Sequence, residues 1–527
     1  MTEPILTLRV APAFATLPPG EREAFVSLAL SARGAPVEGE RPRLHVSFAL
    51  DLSGSMAGPP IEHVSRSVLR LVDLLRDADQ VGVVGFSDEA TEIVAPCPMD
   101  AGARRVLRRR AQRLSADGST NVEAGLARAR RQLERAGTPL DPTARHALLL
   151  LSDGRPNVGA ASPQELRALA AAMRPEISIS TLGFGKHHDE DLLAAIADAG
   201  GGQYRYIPDP VGCQAELAQV LGAQADVVAE GIELVLVPAE GVELRRVLGA
   251  AGTRVTKEGL VVAVPDQIDG AELALAVEVR ARFTAERMRG ELLTVRLRYR
   301  RAGTTDRFAD EAQATVDLAA GPPRLDPAAH ARVLLVRADE ARREARALAD
   351  RGQFPAAAAV LRALVAEIEA APGYAPADGS PLSEARETLA DEIQTFERAP
   401  SAEQYGLFKK HAVASSLAGV GWCASAVALR GRTARDFCER TAEPGAGAWL
   451  VVVAGAEVGR RHELGVRSVL GRTQTADVVL RDPGISRRHA EIVALLGHFW
   501  LRDLGATNPL HVNGAPLGEH PHRLSPG

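Results

Sequence analysis

The chain is poor in sulfur and in aromatic rings. Its 527 residues include four cysteines (Cys97, Cys213, Cys423 and Cys438), far apart and without a C-x-x-C pair. That excludes a disulfide scaffold and the usual zinc clusters, and it suits a reducing compartment. No sign of charge dominates: 62 basic against 67 acidic residues leave a net charge of −5, which argues against a protein that coats nucleic acid. Long hydrophobic runs are missing too. The nearest approach, Ala412 to Leu429, is uncharged and flanked by Lys409, Lys410, Arg430 and Arg432. It is built mainly from Ala, Ser and Gly rather than the residues that favour membrane insertion, so a membrane span is not expected. The first residues, Met1-Thr-Glu-Pro-Ile-Leu-Thr-Leu-Arg-Val, show no basic stretch leading into an apolar one; no signal peptide is read, and a cytoplasmic location is expected. Enzyme signatures are absent as well: no G-x-x-x-x-G-K-[ST], H-E-x-x-H, G-x-S-x-G or kinase motif occurs, and Gly445-Ala-Gly447 reads as a linker turn.

What is present is ordinary globular composition, 46% apolar and 24% charged, in a chain too long for one core, so roughly three to five domains are expected. Residues 4–34 alternate apolar and polar around Leu17-Pro-Pro-Gly, as antiparallel strands do. From Leu44 to about Gly222 short apolar runs alternate with helical stretches, the pattern of a doubly wound parallel α/β sheet. Its expected strands are Leu44–Leu50, Gln80–Phe86, Ala147–Leu151 and Ile177–Phe184. Alternation returns over 227–318. A lone N-terminal hairpin would be marginal in water, so residues 1–40 are expected to complete a β-sandwich with 224–320, the α/β domain of 41–223 being inserted between them. Residues 324–398 read as a helical hairpin with a third helix, a spacer. A linker spans 399–447, and 448–527 carries closely spaced strands of a second β-sandwich.

The buried strand Leu44–Leu50 runs into Asp51-Leu-Ser53-Gly-Ser55, placing a carboxylate and two hydroxyls at a strand's carboxyl end, where open α/β sheets bind ligands. Asp117-Gly-Ser-Thr120-Asn121 and Leu151-Ser-Asp153-Gly154 supply further oxygens at loops expected to converge there. Hard oxygen donors suit Mg²⁺. Over about 180 residues these three motifs resemble the von Willebrand factor A domain and its metal-ion-dependent adhesion site. The resemblance implies Ser53, Ser55 and Thr120 as direct ligands of Mg²⁺ or Mn²⁺, with Asp51 and Asp153 in supporting contact. It also implies an open coordination position that accepts an Asp or Glu from a partner protein. Thr120 is expected to cap the following helix as well. Lys186-His-His-Asp189-Glu-Asp191 invites a second metal reading, but Asp189 suits a helix N-cap and Glu190 and Asp191 a first helical turn. Cys97 and Cys213 read as small packed hydrophobes.

In the last segment, Gly471-Arg472, Ser486-Arg487-Arg-His489 and Thr507-Asn508 are similar to the motifs of forkhead-associated domains, which recognise phosphothreonine peptides. Arg472 offers a forked guanidinium to phosphate oxygens; Ser486 and Thr507 add hydroxyl donors, and Arg487 positive field. By resemblance Asn508 holds the peptide backbone, and His489 is structural, bracing its loop. Two departures stand out. Pro509 replaces the family's usual glycine, fixing φ and removing an N–H. The chain also stops at Gly527, where the family continues into another strand pair, so an open sheet edge is expected.

Together the motifs point to a non-enzymatic adaptor in Ser/Thr-kinase signalling. One module would grip a protein partner's carboxylate through Mg²⁺; the other would read a phosphothreonine on a Ser/Thr kinase or its substrate. Two alternatives stay open: a regulatory subunit of a chelatase- or MoxR-type AAA+ ATPase, and a metal-dependent hydrolase using Asp51 and Asp153.

Overall fold

A computed structural model describes residues 4–33, 41–72, 75–135, 140–153, 155–159, 162–174, 176–185, 188–207, 213–250, 252–284, 286–376, 380–416, 448–452, 457–464, 467–473, 476–495, 498–504, 506, 508, 510–512, 515–517 and 522–524. The chain divides into two compact units. Of the described residues, the first holds 4–33 and 227–405, and the second holds 41–226, 406–416 and 448–524.

The first unit opens with strands β1 (Leu6–Pro12), β2 (Phe14–Leu17) and β3 (Gly20–Ala32). The second unit's α/β domain follows: β4 (Arg43–Asp51), α1 (Pro59–Val72), β5 (Gln80–Phe86), β6 (Ala90–Pro98), α2 (Ala101–Ala111), α3 (Val122–Arg135) and β7 (Ala144–Ser152). It is completed by α4 (Pro163–Ala171), β8 (Ile177–Phe184), α5 (Glu190–Gly200), β9 (Gly201–Ile207) and α6 (Cys213–Ala225). The chain then returns to the first unit with β10 (Val227–Pro238), β11 (Val242–Leu248), β12 (Thr253–Thr256), β13 (Gly259–Val264), β14 (Gln267–Ile268), β15 (Glu272–Phe283), β16 (Arg289–Arg301), β17 (Arg307–Leu318) and β18 (Arg324–Leu325).

These strands form two sheets. One runs β1-β3-β15-β11; the other runs β12-β13-β10-β16-β17-β2-β18, with β14 against β10. Alternate residues of both feed one apolar core, which includes Val26, Leu28, Leu234, Val277, Val295 and Leu297. The N-terminal strands are integral to it: β3 pairs with β15 along its whole length, Leu28 opposite Leu275. Helices α7 (Pro327–Ala349), α8 (Phe354–Glu369) and α9 (Pro381–Glu397) follow, with Arg342 held between helices by the carboxylate of Glu392, both buried.

In the α/β domain the sheet order is β6-β5-β4-β7-β8-β9. Strands β4, β5, β7, β8 and β9 are parallel, and β4, β5, β7 and β8 are buried almost throughout, while the edge strand β9 is only partly so. The expected all-parallel sheet is corrected at one edge. Residues Ala90–Pro98 return as β6, antiparallel to β5, a position where Pro96 and Pro98, which have no N–H to donate, cost nothing. Arg41 ties the entry to the sheet's lower end. It meets the fully buried Asp79 through two hydrogen bonds of 3.0 and 2.5 Å, and Asp79 also accepts the N–H groups of Leu44 and Arg76.

Residues 402–416, part of the unclassified linker in the sequence, form helix α10 (Ala402–Ser416). Its Val413 enters the α/β domain's core, and Lys410, nearly inaccessible, pairs with Glu190 at the start of α5 and donates to the carbonyl of His188. The remainder of the uncharged 412–429 stretch lies outside the described residues. Among the described residues no helix is long and apolar enough to cross a membrane.

The C-terminal segment contains β19 (Ala448–Val451) paired with β20 (Arg461–Leu464), a sheet β22-β21-β23-β24-β27, and the pair β25–β26. Their ranges are β21 (Arg467–Gly471), β22 (Val478–Val479), β23 (Ala490–Leu495), β24 (His498–Asp503), β25 (His511–Val512), β26 (Ala515–Pro516) and β27 (His522–Leu524). Leu470, Val478, Ala490, Ile492 and Leu501 form its core.

Candidate functional sites

The parallel strands β4 and β7 are neighbours and stop at the same level, so the chain leaves each of them at one edge of the sheet. Asp51 is the last residue of β4 and is fully buried. One of its carboxylate oxygens accepts the N–H of Ser53 at 2.9 Å, the other the hydroxyl of Ser152 at 2.5 Å. The Ser53 and Ser55 hydroxyls lie 3.1 Å apart, and Ser55 donates to Asp153 at 2.7 Å. Four of the five expected oxygen donors are therefore linked directly to one another.

The loop carrying Thr120 is brought in by main-chain bonds: Asp117 N–H to Leu52 C=O at 2.7 Å, and Gly54 N–H to Gly118 C=O at 3.1 Å. This close approach needs glycine. Gly118 has φ +85°, and a Cβ there would sit 2.7 Å from Asp88 Oδ2. Thr120 itself is clamped to the third loop, donating its N–H to Asn157 Oδ1 at 2.8 Å while its carbonyl accepts the Asn157 N–H at 3.1 Å. The expectation that Thr120 caps the next helix is corrected. Asn121 does so, its side chain accepting the N–H of Ala124 at 3.0 Å, and among the described residues the Thr120 hydroxyl has no hydrogen-bond partner.

Burial holds the Asp51 carboxyl above its usual range; the hydrogen bonds from Ser152 and Ser53 work against that, and the charge of Asp153 adds to it. A buried carboxylate beside a second carboxylate, in a ring of hydroxyls, matches what a hard divalent cation needs. Among the described residues no group of three or more His, Cys, Asp or Glu is placed to hold a metal. The site has two carboxylates and would take its remaining donors from hydroxyls.

The second histidine of the 186–191 stretch is structural. His188 is buried; its Nδ1 donates to the carbonyls of Phe184 (3.1 Å) and Gly185 (2.9 Å), and its Nε2 accepts from the Tyr204 hydroxyl at 2.7 Å. Burial, with Lys410 nearby, lowers its pKa to about 4. Asp189 caps α5 by accepting the N–H of Leu192, and Glu190 and Asp191 occupy the first turn. His187 and Lys186 lie outside the described residues. Cys97 is half-buried against the apolar core, and burial raises its thiol pKa.

In the C-terminal segment Gly471 ends β21 where β21 and the 486–489 turn almost touch: a Cβ at this position would fall 1.7 Å from the Arg487 carbonyl oxygen. Beyond it, Arg472 N–H donates to Ser486 C=O at 3.2 Å, and His489 Nδ1 accepts the Ser486 N–H at 3.0 Å. Burial lowers the His489 pKa, in keeping with a ring that accepts at Nδ1 and braces its turn. Asn508 Nδ2 donates to Gly484 C=O at 2.8 Å, tying the 508 loop to the same turn. Arg472, Ser486, Arg487 and Asn508 are thus gathered on adjacent turns; Thr507 and Pro509 lie outside the described residues. Four residues that hold the cation-site loops in place carried no expected role: Ser152, Asn157, Asp88 and Asn121. Each acts through isolated hydrogen bonds at loops or a helix cap, which leave no spacing pattern in the sequence.

Strand-end loops that gather hydroxyls and carboxylates on a doubly wound sheet define the class of von Willebrand factor A domains, and residues 45–214 match the von Willebrand factor type A domain family. Residues 468–527 match the FHA domain family. The chain therefore carries a von Willebrand factor A domain and a forkhead-associated domain. Among curated proteins it is 30% identical over 193 residues to the uncharacterized protein sll0103 of Synechocystis sp., covering 37% of this chain and 44% of that one. It is 30% identical over 168 residues to human inter-alpha-trypsin inhibitor heavy chain H4, covering 31% and 18%. The chain thus spans less than half the length of these relatives. Among solved structures, a von Willebrand factor type A protein from Catenulispora acidiphila superposes with TM-score 0.57 at 16% identity, covering 79% of this chain and 97% of that one. The ArnB paralog VWA2 from Sulfolobus acidocaldarius superposes with TM-score 0.51 at 14% identity, covering 79% and 98%. At that identity the likeness concerns the fold. Both domains are typically non-catalytic interaction modules, and their combination supports a protein-interaction adaptor role.

Proposed function

We propose that the protein is a non-enzymatic adaptor with two recognition sites. In the α/β domain the hydroxyls of Ser53, Ser55 and Thr120 would hold Mg²⁺ or Mn²⁺, with Asp51 and Asp153 in supporting contact. When bound, the cation supplies a Lewis-acid point to which a carboxylate of a protein partner can be attached. The chain's own residues position the donors: buried Asp51 anchors the Ser53 N–H and the Ser152 hydroxyl, and Ser55 bonds to Asp153. One observation carries this reading. Asp51 and Asp153 meet through the Ser53–Ser55 hydroxyl pair (3.1 and 2.7 Å), and the nearby charge acting on buried Asp51 is that of the second carboxylate, which a divalent cation would offset.

In the FHA domain Arg472 and Arg487, with the Ser486 and Thr507 hydroxyls, would take the phosphate of a phosphothreonine, while Asn508 holds the peptide backbone and His489 braces the turn. The partner would be a Ser/Thr kinase or its substrate. Calorimetry tests both sites. Mg²⁺ or Mn²⁺ titrated into the full chain should bind, and Ser53→Ala should weaken it. A phosphothreonine peptide should bind and its phosphoserine and unmodified forms far less, the difference vanishing in Arg472→Ala. No heat with either cation, or equal binding of the three peptides, defeats the corresponding half.

A further inference from the structure

Helix α2 (Ala101-Gly-Ala-Arg-Arg-Val-Leu-Arg-Arg-Arg-Ala) contains five arginines and no acidic residue. Arg113 extends the basic run into the closing turn, where its N–H bonds to Arg110 C=O at 3.0 Å. Leu107 is buried against the sheet, and Arg104 is spent on the Val72 and Leu75 carbonyls and on Asp77. Arg105, Arg109, Arg110 and Arg113 are exposed, and among the described residues none of the four has an ion-pair or hydrogen-bond partner for its side chain. Elsewhere many exposed arginines are matched, as in Arg254–Glu233 (2.7 Å), Arg296–Glu311 (2.8 Å) and Arg362–Glu397 (2.7 Å). Basic residues in a last helical turn are favoured by the helix dipole, which accounts for Arg109 and Arg110. It does not account for Arg105, mid-helix, or Arg113 beyond the end.

The stripe leads to the cation site. Helix α2 starts beside the foot of β5 (Met99 N–H to Asp79 C=O, 3.0 Å) and climbs until its Ala111 carbonyl accepts the Ser65 hydroxyl of α1 at 2.9 Å. Arg113 then lies four residues before Asp117, whose N–H bonds to Leu52 in the first loop of the site, a span of at most about 14 Å. On neighbouring α1 both Arg66 and the acidic Glu62 of its first turn are exposed.

We infer that the partner which offers a carboxylate to the α/β domain's cation does so from an acidic polypeptide segment, whose neighbouring side chains lie along Arg105, Arg109, Arg110 and Arg113. This rests on the cation-site reading and names the chemistry of its partner. Charge complementarity and continuity with the site favour it: the cation anchors one carboxylate, and the arginines steer and hold those beside it.

The test uses the full chain and a fluorescein-labelled oligoglutamate peptide, read by anisotropy in Mg²⁺ and in EDTA. A single-stranded oligothymidylate of equal charge serves as comparison. The quadruple variant R105Q/R109Q/R110Q/R113Q, its fold checked by circular dichroism, should bind the peptide about ten-fold or more weakly and with a shallower salt dependence. Unchanged peptide binding in that variant overturns the inference, as does tighter arginine-dependent binding of the oligothymidylate, which would make the stripe a nucleic-acid face. Arginine-dependent binding that is indifferent to EDTA supports the acidic partner and overturns the cation-site reading beneath it.

Discussion

Asn157 and Thr120 are bonded to each other twice, side chain to N–H at 2.8 Å and N–H to carbonyl at 3.1 Å. This clamp, rather than any contact of Thr120's own side chain, holds the second loop against the third and leaves the threonine hydroxyl available. Asn157→Ala should therefore lower cation affinity about ten-fold, since positioning groups around a metal typically matter at that scale, while far-UV circular dichroism stays unchanged. Asn157→Asp, which keeps the acceptor, should recover much of the loss.

Cation binding should depend on pH with a definite sign. Burial raises the Asp51 pKa above 3.8, so in the absence of metal its ionisation opposes folding. That penalty is absent below 3.8 and grows as pH rises through the folded value. A bound cation offsets it. At about a hundredfold excess over Kd, Mg²⁺ should stabilise the α/β domain by about 2.7 kcal/mol at neutral pH, and the gain should shrink as pH is lowered toward 4. Thermal melts with and without Mg²⁺ across this range check it, and a gain independent of pH would count against Asp51.

A different group sets the response to acid. His146 is buried against His45, ring centroids 4.8 Å apart, and burial lowers its pKa to about 4, the same value as His188. Unfolding frees each to protonate near 6.5, so stability is complete above that pH and is lost as pH falls toward 4. The loss is up to about 1.4 kcal/mol per unit for each ring. His146→Phe, which keeps an aromatic ring beside His45, should flatten the curve by about that amount per unit. Denaturant titrations at several pH values measure it.

Asp79 answers both Arg41 and the start of β4. Asp79→Ala would leave the Arg41 guanidinium, on a side chain 7% exposed, without its counter-charge. It would also strand the N–H groups of Leu44 and Arg76. Loss of one partner of a buried pair costs about 3–5 kcal/mol, so chemical denaturation of the α/β domain should shift by that order.

In the FHA domain Gly471→Ala should be as damaging as loss of Arg472. Its methyl would fall on the Arg487 carbonyl, main chain against main chain, so the 486–489 turn must move. An overpacking cost of about 3 kcal/mol is expected. Phosphothreonine-peptide binding should fall with it while the melting of the α/β domain is unaffected.

Asp51, Ser53, Ser55 and Asp153 were legible in the sequence because each follows a run of buried apolar residues, and a strand's carboxyl end is a place where polar side chains must do something other than pack. The parallel strands were legible for the same reason. Less visible was β6, whose Pro96 and Pro98 have no N–H to give a ladder and are tolerated because the strand lies at an edge. Strand β9 begins with two glycines and α10 is rich in small residues, so neither offers a clear period. Asn157, Ser152 and the true cap Asn121 escaped because isolated hydrogen bonds at loops and caps select a residue without repeating.

Strand β3 finds its neighbour β15 about 250 residues further along the chain, Leu28 beside Leu275, and such distant pairing cannot begin before the later strand exists. As the chain emerges from the ribosome, its earliest strands must wait with bare edges while the whole α/β domain is made behind them. A nascent chain halted before residue 272 would therefore present a folded α/β domain with an unpaired N-terminal hairpin, and that hairpin is where chaperone capture during synthesis should concentrate.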